Sequence, residues 1–347
     1  MTQSPALDGP LKLSMFSVVD YYPDQGRTKG EFYEQVLDQV EYADDLGYDS
    51  FFVAEHHFTG YGVFPNPTIA LAAAAARTSR IKLGAAVVVL PFRNPVQVAE
   101  DYAMLDQLSD GRMVMGVGSG YLAFEFDGFG VAGKTKRESF DEGLDIIRKL
   151  WSGEKITYDG EFTQIKDTGI NVTPVTKGGP KVYVAALRMQ SVYHVGKNGD
   201  NMMIVPYAMV DELEELAPAI AEYHKGYSDS GLDDEGEIIA AFHTYISETD
   251  ESAREEAQPA FDLYVETRDY AKSQVYADII KSKVCVFGSV DTAVDRLVQM
   301  HDLGLTHVSL LMNFGGLDPE LAKKSMHLMA TQVAPRVKAR LAERNAG

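Results

Sequence analysis

The sequence predicts an α/β protein: a single (β/α)8 TIM barrel spanning residues 1–347. Eight continuous apolar runs are each followed by a segment of helical character. Strands that are apolar on both faces and alternate with amphipathic helices belong to a parallel sheet covered by helices. The rival is a doubly wound open sheet. Against it, the first strand-to-helix turn, SVVDYYPDQGRTKGEF, carries no dinucleotide fingerprint.

The elements follow in order. LKLSMFSVV (11–19) is a strand by its apolar, β-branched content. EFYEQVLDQVEYADDLG (31–47) is an amphipathic helix with Phe32, Val36, Val40 and Ala43 on one side, stopped by Gly47. YDSFFVA (48–54) is the second strand. Asn66 caps and Pro67 opens the helix that follows, and IKLGAAVVV (81–89) is the third strand. The same device recurs at Asn94 and Pro95, ahead of a helix that Gly111 closes. MVMGVGSG (113–120) is the fourth strand, running into glycines, and a long helix covers 137–151. KVYVAAL (181–187), NMMIVP (201–206), EIIAAFHTYIS (237–247) and THVSLLMN (306–313) are the remaining strands, and 319–337 is the last helix.

Two connections are too long to be plain. Residues 153–180 hold ITYDGEFTQIKD, read as a hairpin inserted before strand five. Residues 250–289, after strand seven, lie on the face where barrel active sites sit and are expected to form a mobile lid.

Composition excludes several functions. Hydrophobic content of 45% with 24% charged residues describes a globular protein. The formal net charge is −19, with no basic cluster of the kind nucleic acids require. No apolar stretch approaches the ~18 residues that span a bilayer, and MTQSPALDGP lacks the features of a signal peptide. Cys285 is the single cysteine, so internal disulfides and cysteine-rich metal sites are excluded. A cytoplasmic location is expected.

The candidate chemistry gathers at strand ends. Glu55, His56 and His57 close the second strand, where a barrel presents its catalytic residues. The histidines lack the i,i+4 spacing of a zinc helix, and no metal is expected. If the strand persists through His57, the two rings diverge. Pattern alone leaves open whether they are proton-transfer groups or hydrogen-bonded strand-end residues. Gly116, Gly118 and Gly120 fail the GxGxxG pattern, because Tyr121 stands at its third glycine. They serve either a sharp turn or a close backbone approach to a flat ligand. Arg188 and Ser191 stand at the start of a helix after strand five. They could bind phosphate or be surface residues.

Taken together, VAEHHF, GAAVVVLPFRNPVQVAEDYAMLDQLSDGR, GVGSGYLAFEFDGFG and VFGSVDTAVDRLVQMHDLGLTHVSLLMNFGGL resemble the bacterial luciferase-like flavin-dependent monooxygenase family, and the likeness is to its luciferase α-subunit type. The first three run in one continuous match over 53–130, and the looser matches bring the resemblance to most of the chain. It implies a (β/α)8 barrel and reduced FMN supplied by a separate NAD(P)H:flavin reductase. The flavin would react with O2 to a C4a-peroxyflavin that oxygenates a small or medium organic substrate. Other branches of the family use the deazaflavin F420. The resemblance assigns His56 as general base or acid, supported by Glu55 and His57, and Glu125 as an acidic residue influencing the flavin. It places a non-prolyl cis peptide at Ala86-Val87 beneath the ring, and sets Gly118, Ser119, Tyr121, Ala185, Leu187, Arg188 and Ser191 around the cofactor.

Two positions depart from the luciferase pattern. Ser119 stands where an arginine holds the FMN phosphate, while Arg188 stands where the α subunit has a serine. The arginine is therefore read as having changed sides of the phosphate. Tyr121-Leu122 reverses a Leu-Tyr order, so the substrate differs from that of luciferase and no light emission is expected. The alternatives are an F420-dependent oxidoreductase transferring hydride without oxygen, and a non-catalytic flavin-binding protein. Retention of Glu55-His56-His57 argues against the latter. A homodimer is implied by the family, through the helices flanking strands two and three.

Overall fold

The computed structural model describes residue 7 and residues 9–268 and 274–345. The extreme N-terminus and residues 269–273 of the expected lid lie outside the described residues.

Eight parallel strands close into a barrel. In chain order they are Lys12–Ser17, Ser50–Val53, Lys82–Val89, Met113–Gly118, Lys181–Ala186, Asn201–Ile204, Ile238–Ser247 and His307–Asn313. Each pairs with its sequence neighbours, and His307–Asn313 pairs back onto Lys12–Ser17 with His307 opposite Lys12. Strands six and seven complete the ring, Met202 lying opposite Ile238. The strands are buried on both faces because helices pack outside and strand side chains fill the interior. The asparagine caps form as the sequence implies. Asn66 Oδ1 accepts the Thr68 N–H at 3.2 Å and Asn94 Oδ1 accepts the Val96 N–H at 2.9 Å, each ahead of a proline at the first helical position.

Ile156–Asp159 and Gln164–Thr168 form an antiparallel pair between strands four and five. After strand seven the chain makes the helices Asp250–Glu266 and Tyr276–Ser282 and a short strand, Val286–Ser289. That ninth strand pairs with the second half of strand seven, Val286 lying opposite Thr244. Strand seven is thus shared, its first half in the barrel and its second half leaving it.

Two local features shape the barrel mouth. Strand two ends at Val53, so Glu55, His56 and His57 lie in the loop and not on a pleat. The expected divergence of the histidines therefore needs another cause. Strands three and four approach closely: a Cβ on Gly116 would stand 2.3 Å from the Ala85 carbonyl oxygen, which only glycine avoids. Beside this contact the Ala86–Val87 peptide is cis, and the strand pairing skips from Ala85 to Val88.

Candidate active site

The loop after strand two meets the helix Ala123–Phe129 that follows strand four. Glu125, in the first turn of that helix, is 1% exposed. Its Oε1 accepts the backbone N–H of His57 at 2.9 Å and lies 3.2 Å from Nδ1 of His56. A carboxylate at Nδ1 keeps the ring proton there and leaves Nε2 as the basic nitrogen. His56 also packs on Tyr61, ring centroids 4.8 Å apart, and meets Tyr121 edge-on at 6.2 Å. An outer cleft of about 510 Å³ reaches His56 between the loops after strands one and two, past Tyr21, Tyr33 and Gly62.

His57 turns elsewhere. Its Nε2 lies 3.0 Å from Glu55 Oε1, and its ring meets Phe129 edge-on at 4.6 Å. Glu55, also buried, accepts from Arg93 Nε at 3.1 and 3.2 Å, and Arg93 donates to the Pro65 carbonyl at 3.0 Å. The histidines diverge because each is claimed by a different carboxylate. Arg93, which the sequence reading passed over, neutralises Glu55; its signal lay in the LPFRNP turn.

The predicted cofactor residues form a shallow cradle and a charged end. Gly118 backs onto Val87 and Ala185: a Cβ there would meet Val87 Cγ2 at 2.7 Å and Ala185 Cβ at 3.7 Å. Ser119 follows strand four, and Tyr121 is half-exposed at the mouth. Leu187 links strand five to Arg188, the exposed cap of the helix Met189–Lys197. A cavity of about 670 Å³ is lined by Arg137, Arg188, Gln190, Ser191, His194 and Asn198. Arg137 was not anticipated. Nor was Lys136, whose ammonium donates to the Gly120 carbonyl at 2.8 Å. Burial and the nearby Arg188 guanidinium hold the Lys136 ammonium below its usual range. Arg137, which also pairs with Asp141 at 2.9 Å, and Arg188 line this cavity at the starts of two helices, a setting that suits a phosphate. Ser191 lines this cavity, with its hydroxyl donating to the Arg188 carbonyl at 2.7 Å.

A third group occupies the mouth opposite. Arg268 is stacked on Tyr207 and Tyr264, and the Tyr264 hydroxyl lies 3.2 Å from that of Tyr61. Buried His243 packs against Tyr207, Tyr264 and Phe314, and burial, then Arg268, depresses its pKa well below the ordinary histidine value. Asp20, just after strand one, accepts the Gly315 N–H at 2.7 Å; burial raises its pKa to about 6. Among the described residues no cluster of three or more His, Cys, Asp or Glu could hold a metal, and no helix is long and apolar enough to cross a membrane.

The chain resembles known proteins over most of its length. Residues 14–307 match the family model described as luciferase-like monooxygenase. The chain is 25% identical to the oxygenase component of flavin-dependent trigonelline monooxygenase from Acinetobacter baylyi, over 94% of this chain and 95% of that protein. It is 28% identical to the F420-dependent glucose-6-phosphate dehydrogenase of Nocardia farcinica, over 88% of this chain and 94% of that one. Among solved structures, the monooxygenase RslO1 from Streptomyces bottropensis superposes with a TM-score of 0.87 at 27% identity, over 94% of this chain and 99% of that chain. With the family model covering most of its length, the chain belongs to the luciferase-like monooxygenase family.

Proposed function

We propose that this flavin-dependent monooxygenase is the oxygenase of a two-component system. It takes reduced FMN from a separate NAD(P)H:flavin reductase, binds O2, and oxygenates a small or medium organic substrate. The observation that carries the proposal is that strand four and the helix after it supply both Gly118, packed on Val87 and Ala185, and Glu125, bonded to His56, while Arg137 and Arg188 line a cavity at the helix following strand five. A flat ring carrying one phosphate fits that order: apolar backbone under the ring, a proton-handling group at its edge, cations at its tail. The flavin would supply the oxygen chemistry. Glu125 orients the His56 ring through Nδ1. His56 moves a proton at Nε2. Glu55, held by Arg93, fixes His57 and with it the loop. The packed aromatics Phe92, Phe126 and Phe129 exclude water from behind the histidines.

A second reading, F420-dependent hydride transfer, draws on the similarity to the Nocardia enzyme and on Ser119 in place of the luciferase arginine. Mixing oxygen with protein loaded with reduced FMN separates the two. The monooxygenase reading expects an absorbance band near ~380 nm from an oxygenated flavin adduct. Its absence on every timescale, with turnover of F420 instead, would reverse the choice.

A cytoplasmic homodimer completes the proposal. The helices Pro67–Arg77 and Pro95–Leu108, flanking strands two and three, expose Ile69 at 71%, Met104 at 52% and Leu108 at 62%, which supports pairing through that face. Helices 250–266 and 276–282, with Tyr264 already against Tyr61, support a covering role for the segment after strand seven.

A further inference from the structure

Arg268 is buried at the barrel mouth with no ion pair among the described residues. It is 5% exposed and follows the helix Asp250–Glu266. Its guanidinium carbon lies 4.5 Å from the Tyr207 ring centroid and 4.1 Å from that of Tyr264. Nη1 donates to the Tyr264 hydroxyl at 3.3 Å and Nη2 to the Tyr207 hydroxyl. Nε is also buried and has no acceptor. No carboxylate among the described residues forms an ion pair with it. Asp20 feels the field of Arg268 but makes no direct bond to it: its Oδ2 accepts the Gly315 N–H and its Oδ1 makes no hydrogen bond within reach.

Two other arginines of the barrel are built differently. Arg93 is matched by the Glu55 carboxylate. Arg112 donates to the carbonyls of Ala75, Thr78, Ile81 and Ser109, as a structural arginine does. Arg268 alone of these three is surrounded by phenols, those of Tyr61, Tyr207 and Tyr264, and keeps an idle N–H. A guanidinium taken out of water costs several kcal/mol unless an anion or enough acceptors compensate. Its planar fork matches a carboxylate.

Its position says what that anion would be part of. One face of the cluster is Tyr61, whose ring packs on His56 at 4.8 Å and whose hydroxyl lies 3.2 Å from that of Tyr264. The field of Arg268 also reaches Tyr121. The remaining walls are Phe261, Phe314 and neutral His243. A molecule held at Arg268 would be flanked by aromatic rings and would reach His56 across a single tyrosine.

We infer that Arg268 is a substrate-recognition residue that binds the carboxylate of a small aromatic acid, presenting its ring to the site beside His56. This rests on the oxygenase reading for the place of reaction, but the binding itself does not.

The test is calorimetric titration of the full chain, with and without saturating oxidised FMN. Benzoate, nicotinate and phenylacetate are each compared with the corresponding neutral amide. At least one acid should bind about tenfold or more tighter than its amide, the scale of a charge-assisted pair. Arg268→Gln should bring that ratio to near unity with amide affinity unchanged. Arg268→Lys, which keeps the charge without the fork, should fall between. A wild-type protein without acid preference in any pair overturns the inference, as does an Arg268→Gln protein that keeps it. Should Arg268→Gln fail to fold, the wild-type ratios and Arg268→Lys decide. No oxygen is used, so the outcome is independent of whether an oxygenated flavin forms.

Discussion

Replacing Asp20 by asparagine should make the protein more stable as pH rises. Asp20 is 3% exposed, and burial lifts its pKa from 3.8 to about 6 against the opposing pull of the Gly315 N–H, the Tyr22 hydroxyl and Arg268. The native state therefore holds this proton more tightly than the unfolded chain does. Below the unfolded pKa both states are protonated and the group has no effect. Between that value and the native one the native state binds more protons, so stability falls as pH rises, and above both the full cost is present. A shift of about two units corresponds to roughly 3 kcal/mol at neutral pH. Asparagine has nearly the same shape, can still accept the Gly315 N–H, and does not ionise. Urea denaturation of both proteins, followed by circular dichroism from pH 4 to pH 8, should show similar midpoints at the acid end and a growing advantage for Asp20→Asn toward neutrality. His307 acts oppositely: burial lowers its pKa to about 4, so its contribution is lost as pH falls from its unfolded value. It is common to both proteins and cancels in the difference. A difference that does not change with pH, or one that shifts toward the wild type as pH rises, would refute the account of Asp20.

Two further outcomes concern the proposed cofactor and proton sites. Arg188→Ala should weaken FMN by about tenfold or more in fluorescence titration while riboflavin, which lacks the phosphate, is scarcely affected; equal losses would remove Arg188 from phosphate binding. His56→Ala should lower kcat by about 10²–10⁴-fold with little change in FMN affinity. Turnover near that of the wild type would leave His56 a packed residue at a loop.

The barrel was legible because its eight strands are largely apolar runs and the helices after strands one, two and three carry their own start or stop signals. The cis peptide at Ala86–Val87 was legible only through the resemblance, since no local feature of GAAVVV encodes it. The short strand Val286–Ser289 was hidden. Its four residues pair with the outer half of strand seven, so its existence depends on a partner about forty residues earlier in the chain. Strand two was read as reaching Ala54. Burial by the surrounding loops keeps Ala54 through His57 out of water, and an apolar run cannot distinguish that from a longer strand. Arg93 was missed because what sets it apart is its pairing with Glu55, which lies almost forty residues earlier in the chain.

That same matching separates the two histidines more firmly than direction does. Glu55 and Glu125 are both buried, so each needs a compensating charge or donors. Glu55 has Arg93, which stays cationic at any working pH, and His57 adds a hydrogen bond. Glu125 has no arginine or lysine partner among the described residues; its donors are the His57 N–H and the His56 ring. The two buried carboxylates are therefore matched differently: Glu55 by a permanent cation, Glu125 by a ring nitrogen and a backbone N–H. That difference in partners supports the proposed division of labour, with His56 as the proton-handling residue and Glu55, Arg93 and His57 holding the loop that carries it.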